Sequence, residues 1–370
     1  MSAPAAPDPR AVARDFCLEG ELRGVQPYGD GHINATFLVT TATRTSERRF
    51  ILQRINTSVF REPLALMENL VRITRHLHLK LEAEGVVDLE RRALRLVAAT
   101  DGSDFVMDGA GGCWRCFPFI EGTREVSVLA GPHQAFEAGR AFGDFQRLLA
   151  DLPGPALSPT IPHFHDAEFR FHAFSAAMDA DVLNRACQAV PEIRFALSQR
   201  DLAGFFGAFI QRGEMQPRIT HNDTKLNNLL FDAVTDQVVC VLDLDTVMPG
   251  LALYDFGDLA RSAACAAPED ELRLDKVHAD PAIFAELARG FLQGSGAGLN
   301  GVERDNLVGA AQVITYSLGL RFLADFLEGD RYFRIHREGH NLDRARTQFA
   351  LLRDLQEREP ELRRSVEAIS

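Results

Sequence analysis

Two neighbouring stretches, "THNDTKLNNLLFD" at residues 220–232 and "VVCVLDLDTVMPG" at residues 238–250, decide the fold of this chain. The first places polar residues before an apolar strand, and the second ends an apolar strand on Asp243 and Asp245. Polar side chains at strand ends commonly form functional sites, and carboxylate and amide oxygens suit Mg²⁺. Taken singly, either stretch is equally compatible with polar turns beside a surface hairpin. Their order along the chain favours a site.

The spacing within the first stretch matches the catalytic loop of kinases. Protein kinases use H-R-D-L-x-x-x-N, in which the Asp accepts the hydroxyl proton and the Asn, five residues on, holds a metal ion. Here His221-x-Asp223 is followed by Asn228 at the same spacing. This form, followed by a strand that ends in "LDLD", resembles the aminoglycoside phosphotransferase and choline kinase superfamily. The resemblance implies ATP and Mg²⁺ as cofactors, and it places Lys225 near the γ-phosphate as a catalytic residue.

Further segments narrow this resemblance. They are "GHINATF", "RINTSVF", "WRCFPFIEGT", "LYDFGDLAR" and "RFLADFLEGDRYF", and with the two stretches above they extend from about Gly31 to Phe333. Together they resemble the N-acetylhexosamine 1-kinase group. The resemblance implies transfer of the γ-phosphoryl group of ATP to the anomeric hydroxyl of N-acetylglucosamine or N-acetylgalactosamine. Which of the two sugars is the acceptor stays open.

The organisation of the chain agrees with an α+β, two-lobed, protein-kinase-like fold. A small β-rich N-lobe is expected over 1–117, with strands in "ATFLVTT", "RRFILQRI", "ALRLVAAT" and "CWRCFPFI" and one long helix in "EPLALMENLVRITRHLHLKLEAEG". A hinge is expected at 118–122. A larger, mainly helical C-lobe is expected over 123–370, where helical patterns are interrupted by the strands "NLLFDA" and "VVCVLDL".

Composition and charge exclude several classes of protein. The 370 residues carry a net charge of −12, so a broad basic footprint for nucleic acid is not expected. No apolar run is expected to reach the ~20 residues of a membrane span, and no secretory signal is visible. Cys113 and Cys116 form a C-x-x-C without further zinc ligands, which favours buried free thiols. We expect a cytoplasmic enzyme, with a monomer favoured and the oligomeric state open.

Roles follow for the polar residues of the two stretches. Asp223 is expected to orient the sugar hydroxyl and accept its proton, and Asn228 to bind Mg²⁺. Asp243 is expected to join the metal to the phosphates and to face the substrate. For Asp245, a second metal, the substrate and backbone donors stay open as partners. His221 is expected to brace the loop rather than act as a base.

The nucleotide is expected to bind residues of the N-lobe. Glycine in "YGDGHINATF" allows close backbone approach to phosphates, which together with the resemblance assigns Gly31, His32 and Asn34. The strand lysine that clamps phosphates is absent, and "FILQRIN" offers Gln53 or Arg54. Only one of them can face the cleft, because side chains alternate along a strand; we favour Arg54.

Two further sets of residues complete the expected nucleotide site. Glu68, on the following helix, is the expected partner of Arg54, although a solvated carboxylate on a helix face is an alternative. Apolar residues of the hinge are expected to wall the adenine: Pro118, Phe119 and Ile120.

The acceptor is expected to bind mainly in the helical lobe. By resemblance, Arg321 and Tyr332 contact the hexosamine, with Thr246 after the metal carboxylates and His32 from the N-lobe. Arg321 and Asp325 are four residues apart on one helix, so simple pairing between them is an alternative.

The letters D-F-G at Asp255–Gly257 are a misleading kinase signal. In the kinase pattern the metal Asp follows the catalytic Asp by about twenty residues, which selects Asp243. In the phosphotransferase superfamily that this chain resembles, a Y-D-L-A-like segment stands here, and the resemblance implies that Asp255 is a structural carboxylate near His221 or Asp223. Asp258 has less claim to a role.

Two other functions stay open. One is an aminoglycoside, choline or other small-amine or sugar kinase of the same fold. The other is a non-catalytic nucleotide-binding protein with a kinase-like fold.

Overall fold

The computed structural model describes residues 7–29 and 33–369. The strands are β1 Glu21–Pro27, β2 Ala35–Ala42, β3 Glu47–Arg54, β4 Val106–Met107, β5 Cys113–Pro118, β6 Thr123–Glu125, β7 Arg218–Thr220, β8 Leu229–Asp232, β9 Val238–Val241 and β10 Met248–Gly250. The helices are α1 Pro9–Ala13, α2 Pro63–Ala83, α3 Leu89–Arg92, α4 Pro132–Leu149, α5 Ala167–Ala180, α6 Val190–Ser198, α7 Phe205–Gln211, α8 Ala252–Ala263, α9 Pro281–Ser295, α10 Gly301–Asp305, α11 Leu307–Glu328, α12 His340–Glu357 and α13 Glu359–Glu367. Short 3₁₀ turns at Leu226–Asn228 and Leu244–Thr246 lie within the stretches 220–232 and 238–250.

The largest sheet has five strands in the order β1-β2-β3-β5-β4, and all four adjacent pairs are antiparallel. Its apolar side chains, among them Val39, Leu52 and Trp114, pack with α1 and Phe16 in one buried cluster. The register sets Thr36 opposite Gln53, and Gln53 opposite Arg115. Directly opposite residues of a sheet share a face, so these three side chains form one row on the sheet. Two smaller sheets pair β10 with β7 and order β6-β8-β9.

Most expected elements are present, and the fold class is α+β as predicted. One expected strand is wrong: "ALRLVAAT" forms no strand of the sheet, although Ala99 makes an isolated bridge to Phe16 and the Val97 N–H donates to the Cys116 carbonyl at 2.8 Å. The segment lies at the edge of the cluster under α1, where Ala99 is buried. An alternating apolar pattern there reflects this burial rather than a ladder. The sequence also indicated neither β1 nor the helices α5, α6 and α12.

The chain divides into two compact units. The first comprises Met1–Thr123, Asp151–Ile161 and Val239–Val247, and the second comprises Arg124–Ala150, Pro162–Val238 and Met248–Ser370. The first unit thus takes two segments from beyond the sheet, one of which carries Asp243 and Asp245. The expected division into 1–117, 118–122 and 123–370 places these segments with the helices and stays a prediction.

The second unit is built around α11, most of whose side chains are buried. Leu307–Glu328 is also long and apolar enough to cross a membrane by composition alone, which the sequence expectation overlooked; 89% of its apolar window is buried inside the protein. A helix that is apolar on all sides is typical of the core of a large protein. We therefore describe α11 as the core helix of the second unit.

Close contact between α4 and α9 adds to this core. Gly139 and Gly143 of α4 face Gly290 and Gly294 of α9, and a Cβ at any of the four would overlap the backbone of the other helix. Glycine at all four positions lets the two helix backbones approach directly, as small residues do at close helix crossings.

Candidate active site

The predicted catalytic loop connects β7 to β8 in the second unit. Thr220, the last residue of β7, pairs with Met248 of β10. Asn222 then adopts a left-handed conformation with φ +65°, which asparagine tolerates better than most residues. The 3₁₀ turn Leu226–Asn228 leads directly into β8. The loop is therefore held at both ends by strands.

Asp223 lies at the centre of a polar cluster within this loop. Lys225 Nζ lies 2.8 Å from Asp223 Oδ1. Asn228 Nδ2 donates to the Asp223 carbonyl at 2.7 Å and to Asp223 Oδ2 at 3.0 Å. Burial acts to raise the pKa of Asp223, but Lys225, the neighbouring His221 and the hydrogen bond from Asn228 outweigh it, so the pKa is lowered. The structure thus brings together Asp223, Lys225 and Asn228.

His221 supports the loop from inside. Its ring is fully buried, with Phe142 and Phe145 of α4 in edge contact at centroid distances of 5.4 and 5.5 Å. The backbone N–H of Asp223 donates to His221 Nδ1 at 3.2 Å. These contacts hold His221, two residues before Asp223, in an aromatic pocket.

Helix α8 supplies two carboxylates to the same loop. Asp255 accepts hydrogen bonds from the backbone N–H groups of His221 at 2.9 Å and Asn222 at 2.7 Å, and from Gln146 Nε2 at 2.6 Å. Burial raises the pKa of Asp255, against the opposing effects of the neighbouring His221 and these hydrogen bonds. Asp258 accepts from the backbone N–H of Thr224 at 2.9 Å. The loop is therefore anchored to α8 through the backbone N–H groups of His221, Asn222 and Thr224.

Asp258 is a residue that the sequence reasoning undervalued. It is buried, and it also forms an ion pair with Arg261 at 2.8 Å. A signal existed, because Asp255 and Asp258 are three residues apart and share a helix face. A face that carries two carboxylates toward the core needs buried donors, and the loop provides them.

His165 is a second missed residue of the second unit. Its Nε2 lies 2.7 Å from the Asn222 carbonyl oxygen, one residue before Asp223. Burial lowers the pKa of His165 to about 4, so the ring is neutral at pH 7. A neutral ring with Nε2–H donates to this carbonyl. The sequence contained no signal for it, since the contact joins positions 57 residues apart.

In the first unit, the second acidic stretch follows β9. Asp243 has a left-handed φ of +54° and precedes the 3₁₀ turn Leu244–Thr246. Asp245 and Thr246 in this turn are buried. Arg115 of β5 forms a bidentate ion pair with Asp245, with one hydrogen bond at 3.0 Å and a second from Nη1 to Oδ1. The partners expected for Asp245 were a second metal, the substrate and backbone donors. In the structure one partner is the side chain of Arg115.

Gln53 and Arg54 lie on opposite faces of β3. Gln53 accepts from Arg115 Nε at 3.0 Å and donates to Thr36 Oγ1 at 3.1 Å. Arg54 lies 3.6 Å from Asp108 Oδ2 and over the Trp114 ring at 5.9 Å. Gln53 therefore shares the face of Asp245, and Arg54 does not. The phosphate role assigned to Arg54 stays a prediction. These contacts favour the face of β3 that carries Gln53 over the face that carries Arg54.

Glu68 is not the partner of Arg54. It is exposed on α2, and among the described residues it makes no ion pair or hydrogen bond. The expected pairing is wrong because Asp108, not Glu68, lies on the face to which Arg54 points. The solvated alternative describes the position of Glu68. The neighbouring Asn69 is buried and bonds the backbone of Ser158.

The remaining nucleotide predictions divide into described and undescribed residues. Gly31 and His32 lie outside the described residues. Asn34 donates to Asp245 Oδ2 at 2.7 Å. Phe119 lies under Arg49 at 4.0 Å and in edge contact with Tyr28 at 5.9 Å. Within the hinge, Ile120 is buried, whereas Pro118 and Phe119 are half-buried.

Arg321 of α11 is held by aromatic rings and does not pair with Asp325. Its guanidinium lies over the rings of Phe164, Tyr332 and Phe333, at 5.0, 5.6 and 5.2 Å. Asp325 instead accepts backbone N–H groups of residues 331–333. The pairing alternative is thus not realised, because Asp325 anchors the loop after α11. Tyr332 is 57% exposed.

A second arginine, Arg170 of α5, accompanies Arg321. It donates to the Phe164 carbonyl at 3.2 Å from Nη2. Burial and the charge of Arg321 lower the pKa of Arg170 to about 10. Neither arginine has a carboxylate partner in the part of the chain that the structure describes. Both guanidiniums contact Phe164. The next residue, His165, contacts the Asn222 carbonyl, which links the two arginines to the loop.

The two cysteines of the C-x-x-C motif are buried free thiols. Burial raises the pKa of Cys113 to about 11 and raises that of Cys116 still further. Thiols of this kind are unreactive.

Comparison with known proteins places this geometry in context. A family model described as "Phosphotransferase enzyme family" matches residues 24–289. Among solved structures, an aminoglycoside phosphotransferase from Alicyclobacillus acidocaldarius is 16% identical with a TM-score of 0.56, covering 100% of this chain and 98% of its own. A choline kinase from Cryptosporidium parvum Iowa II is 14% identical with a TM-score of 0.57, covering 94% and 91%.

A Plasmodium vivax ethanolamine kinase is 13% identical with a TM-score of 0.55, covering 89% of this chain and 82% of its own. At these identities the likeness concerns the fold alone. It confirms the two-lobed, protein-kinase-like fold class that the sequence predicted.

Proposed function

This chain belongs to the phosphotransferase enzyme family, and on that premise we propose that it is an ATP- and Mg²⁺-dependent kinase that phosphorylates the anomeric hydroxyl of an N-acetylhexosamine. The observation that carries the phosphotransferase part is the cluster of Asp223, Lys225 and Asn228 on a loop held by β7, β8 and α8. The choice of acceptor rests on the sequence resemblance and on the positive charges of Arg170 and Arg321 in the second unit.

Asp223 acts in this proposal as the group that orients the acceptor hydroxyl and accepts its proton. Its lowered pKa keeps it ionised at neutral pH, as a proton acceptor must be. Lys225 keeps its positive charge, because the Asp223 carboxylate raises the pKa of its ammonium group. The lysine is thereby available for the transferred phosphoryl group, since phosphoryl transfer depends on positioning and charge neutralisation.

Asn228 of the second unit and Asp243 of the first unit carry oxygens of the type that Mg²⁺ takes as ligands. The two Nδ2 hydrogen bonds of Asn228 to Asp223 leave Asn228 Oδ1 turned away, and this oxygen makes no hydrogen bond among the described residues. An amide oxygen and the Asp243 carboxylate are hard ligands of the type that Mg²⁺ takes, together with substrate phosphates. When bound, the ion neutralises charge on the phosphates. Asn228 and Asp243 are its proposed ligands.

The proposed nucleotide site uses the first unit. Pro118, Phe119 and Ile120 are the proposed walls for adenine, and the segment that begins at Gly31 and His32 is proposed to approach the phosphates. Domain bounds of 1–117, 118–122 and 123–370 remain part of this proposal.

The arginines near the loop support a sugar over a cationic amine. Arg321 and Arg170 lack carboxylate partners among the described residues, and two positive charges disfavour a third in the same region. Sites for cationic ligands use carboxylates or open aromatic faces, whereas here the faces of Phe164, Tyr332 and Phe333 are turned to Arg321. Guanidinium N–H groups instead suit the oxygens of a polyhydroxylated acceptor.

An acceptor panel tests the proposal. ADP release would be measured with ATP and Mg²⁺ in the presence of N-acetylglucosamine, N-acetylgalactosamine, the unacetylated sugars, choline, ethanolamine and an aminoglycoside. We expect an N-acetylhexosamine to stimulate turnover most. The product should show phosphorus coupled to the anomeric proton in its NMR spectrum.

Asp223→Asn is the control for this panel, and it should reduce turnover by roughly 10²- to 10⁴-fold. Stimulation by the amines alone would overturn the acceptor and leave the kinase. Full ADP production by Asp223→Asn would overturn the mechanism.

A further inference from the structure

The absence of a strand lysine leaves open which cation serves the nucleotide site, and the structure holds one in an unexpected place. Arg115 lies on β5 rather than β3, and its side chain is 2% exposed. Its partner Asp245 is 1% exposed. A buried arginine and carboxylate are costly to desolvate, so they persist only with good geometry and further hydrogen bonds.

Nearly all hydrogen-bonding capacity of Arg115 is used inside the first unit. Nη1 and Nη2 donate to the two oxygens of Asp245, and Nε and Nη2 donate to Gln53 Oε1 at 3.0 and 2.9 Å. A guanidinium has five N–H donors, and four contacts are made by these bonds. Arg115 is therefore arranged to hold neighbours and not to reach for a ligand.

The neighbours that Arg115 holds belong to three separate segments. Asp245 also accepts from Asn34 Nδ2 at 2.7 Å, and Asn34 Oδ1 accepts the backbone N–H of Asn56 at 3.0 Å. Gln53 continues the row to Thr36. The network thus joins the start of β2, the end of β3 and the turn after β9. Asp243 stands two residues before Asp245 in that turn, and its charge acts on Arg115.

We propose that Arg115 is a positioning residue of the nucleotide site: by holding Asp245 it fixes the turn that carries Asp243 and ties that turn to the segment before β2. In this proposal Asp245 anchors the turn rather than binding the metal, because Arg115 and Asn34 together donate three hydrogen bonds to its two oxygens. This inference rests on the proposed function, since it presupposes that Asp243 binds the metal–nucleotide complex.

The test is a double-mutant cycle read by nucleotide binding, which needs no acceptor. Calorimetry would give the affinity for ADP with and without Mg²⁺ for the wild type, Arg115→Met, Asp245→Asn and the double variant. We expect each single variant to lose at least about tenfold in the Mg²⁺-dependent part of the affinity. The double variant should lose no more than either, as for two residues that act through one interaction.

Arg115→Lys and the double variant guard against loss of folding. Replacing both members of a buried pair removes the unpaired charge, so the double variant should unfold nearer to the wild-type midpoint than Arg115→Met does, while its Mg²⁺-dependent affinity stays low. The Mg²⁺-dependent affinity of Arg115→Lys should lie between the affinities of the wild type and Arg115→Met. Arg346→Met is the matched control, because it breaks an ion pair with the mostly buried Glu192 in α6 and α12, which carry no proposed site residue.

The outcomes separate cleanly. If Asp245→Asn loses the Mg²⁺-dependent affinity and Arg115→Met keeps it, Asp245 is itself a ligand and the proposal is overturned. If every variant keeps it, the pair serves stability alone, which also overturns the proposal. A wild type that binds no Mg·ADP overturns the proposed function and this inference with it, whereas failure of the acceptor panel alone removes only the acceptor.

Discussion

At the scale of single residues, two adjacent asparagines of the loop differ in burial and in their contacts. Asn228 is buried with its amide on Asp223, whereas Asn227 is exposed. The sequence "LNNLL" distinguishes them only by spacing from Asp223. The structure adds the reason, because the 3₁₀ turn Leu226–Asn228 turns the second asparagine inward.

This difference predicts opposite effects for the two alanine variants. Asn228→Ala should lower kcat by about 10²-fold or more, because it removes a hydrogen bond to the proton acceptor and a proposed metal ligand. Asn227→Ala should stay within a factor of about two, as substitutions at exposed turn positions usually do. ADP release over a Mg²⁺ titration measures both. Equal losses in the two variants would contradict the assignment of Asn228.

Lys225 sets the protonation of Asp223, and this gives a second residue-scale prediction. Lys225→Met removes the largest influence that lowers the pKa of Asp223 and leaves burial to raise it. The acid limb of the kcat/KM profile should therefore move to higher pH. In the wild type the lowered pKa also means that the stability contributed by Asp223 is present above the unfolded pKa and is lost as pH falls through the folded one.

Lys225→Arg is the control for this profile, and it should keep the acid limb near the wild-type position. An unchanged limb in Lys225→Met would show that the rate does not report the ionisation of Asp223.

At the scale of elements, α8 explains the letters D-F-G. Asp255 accepts backbone N–H groups of the catalytic loop. Phe256 is buried against Phe284 of α9 at a centroid distance of 5.5 Å, and a Cβ at Gly257 would lie 2.6 Å from the Ala310 carbonyl oxygen of α11. Each letter therefore has a structural reason in a helix that supports the loop and packs on the core.

The crossing of α4 and α9 carries an element-scale prediction. Gly139→Ala and Gly290→Ala should each lower the free energy of unfolding by about 1–3 kcal/mol or more, because an added methyl would meet backbone that cannot move aside. Gly207→Ala in α7 is the matched control. It has open space at the Cβ, and alanine favours a helix by about 0.5–1 kcal/mol. Urea unfolding measures all three.

Equal stability of the Gly139→Ala and Gly207→Ala variants would mean that α4 and α9 do not approach as closely as described. Gly143→Ala and Gly294→Ala extend the test along the same crossing.

At the scale of the whole molecule, stability should fall in mild acid because of a buried histidine. The unfolded chain binds a proton at His165 near pH 6.5, whereas burial delays this in the folded protein to about pH 4. The free energy of unfolding should therefore decrease as pH falls from about 6.5 to about 4. Between pH 7 and pH 5 the contribution of His165 is about 2 kcal/mol.

His165→Gln should flatten this dependence, since glutamine does not titrate and retains a donor for the Asn222 carbonyl. Urea unfolding at pH 7 and pH 5 gives the difference for each protein. His172→Gln, at an exposed position of α5, should show the wild-type difference. The idea fails if His165→Gln loses as much stability at pH 5 as the wild type does.

The sequence determined the fold class and the catalytic loop. Spacing in "HNDTKLNN" and the strand that ends at Asp243 are local patterns, and their geometry follows from neighbouring residues. The long helix α2 and the core helix α11 were likewise visible in apolar periodicity. Local signals failed at "ALRLVAAT", where burial under α1 produces an apolar pattern without a strand ladder.

Only the tertiary structure decided which polar side chains meet. Arg115 and Asp245 are separated by 130 positions, and His165 and Asn222 by 57. The register of β3 with β5 decides that Gln53, and not Arg54, shares a face with Arg115. Such contacts depend on how distant segments pack, and a pattern confined to neighbouring residues contains no information about them. The sequence thus determined the residue types and spacing of the loop, whereas the fold determined the Arg115–Asp245 ion pair of the first unit and the α8 carboxylates that hold the loop in the second unit.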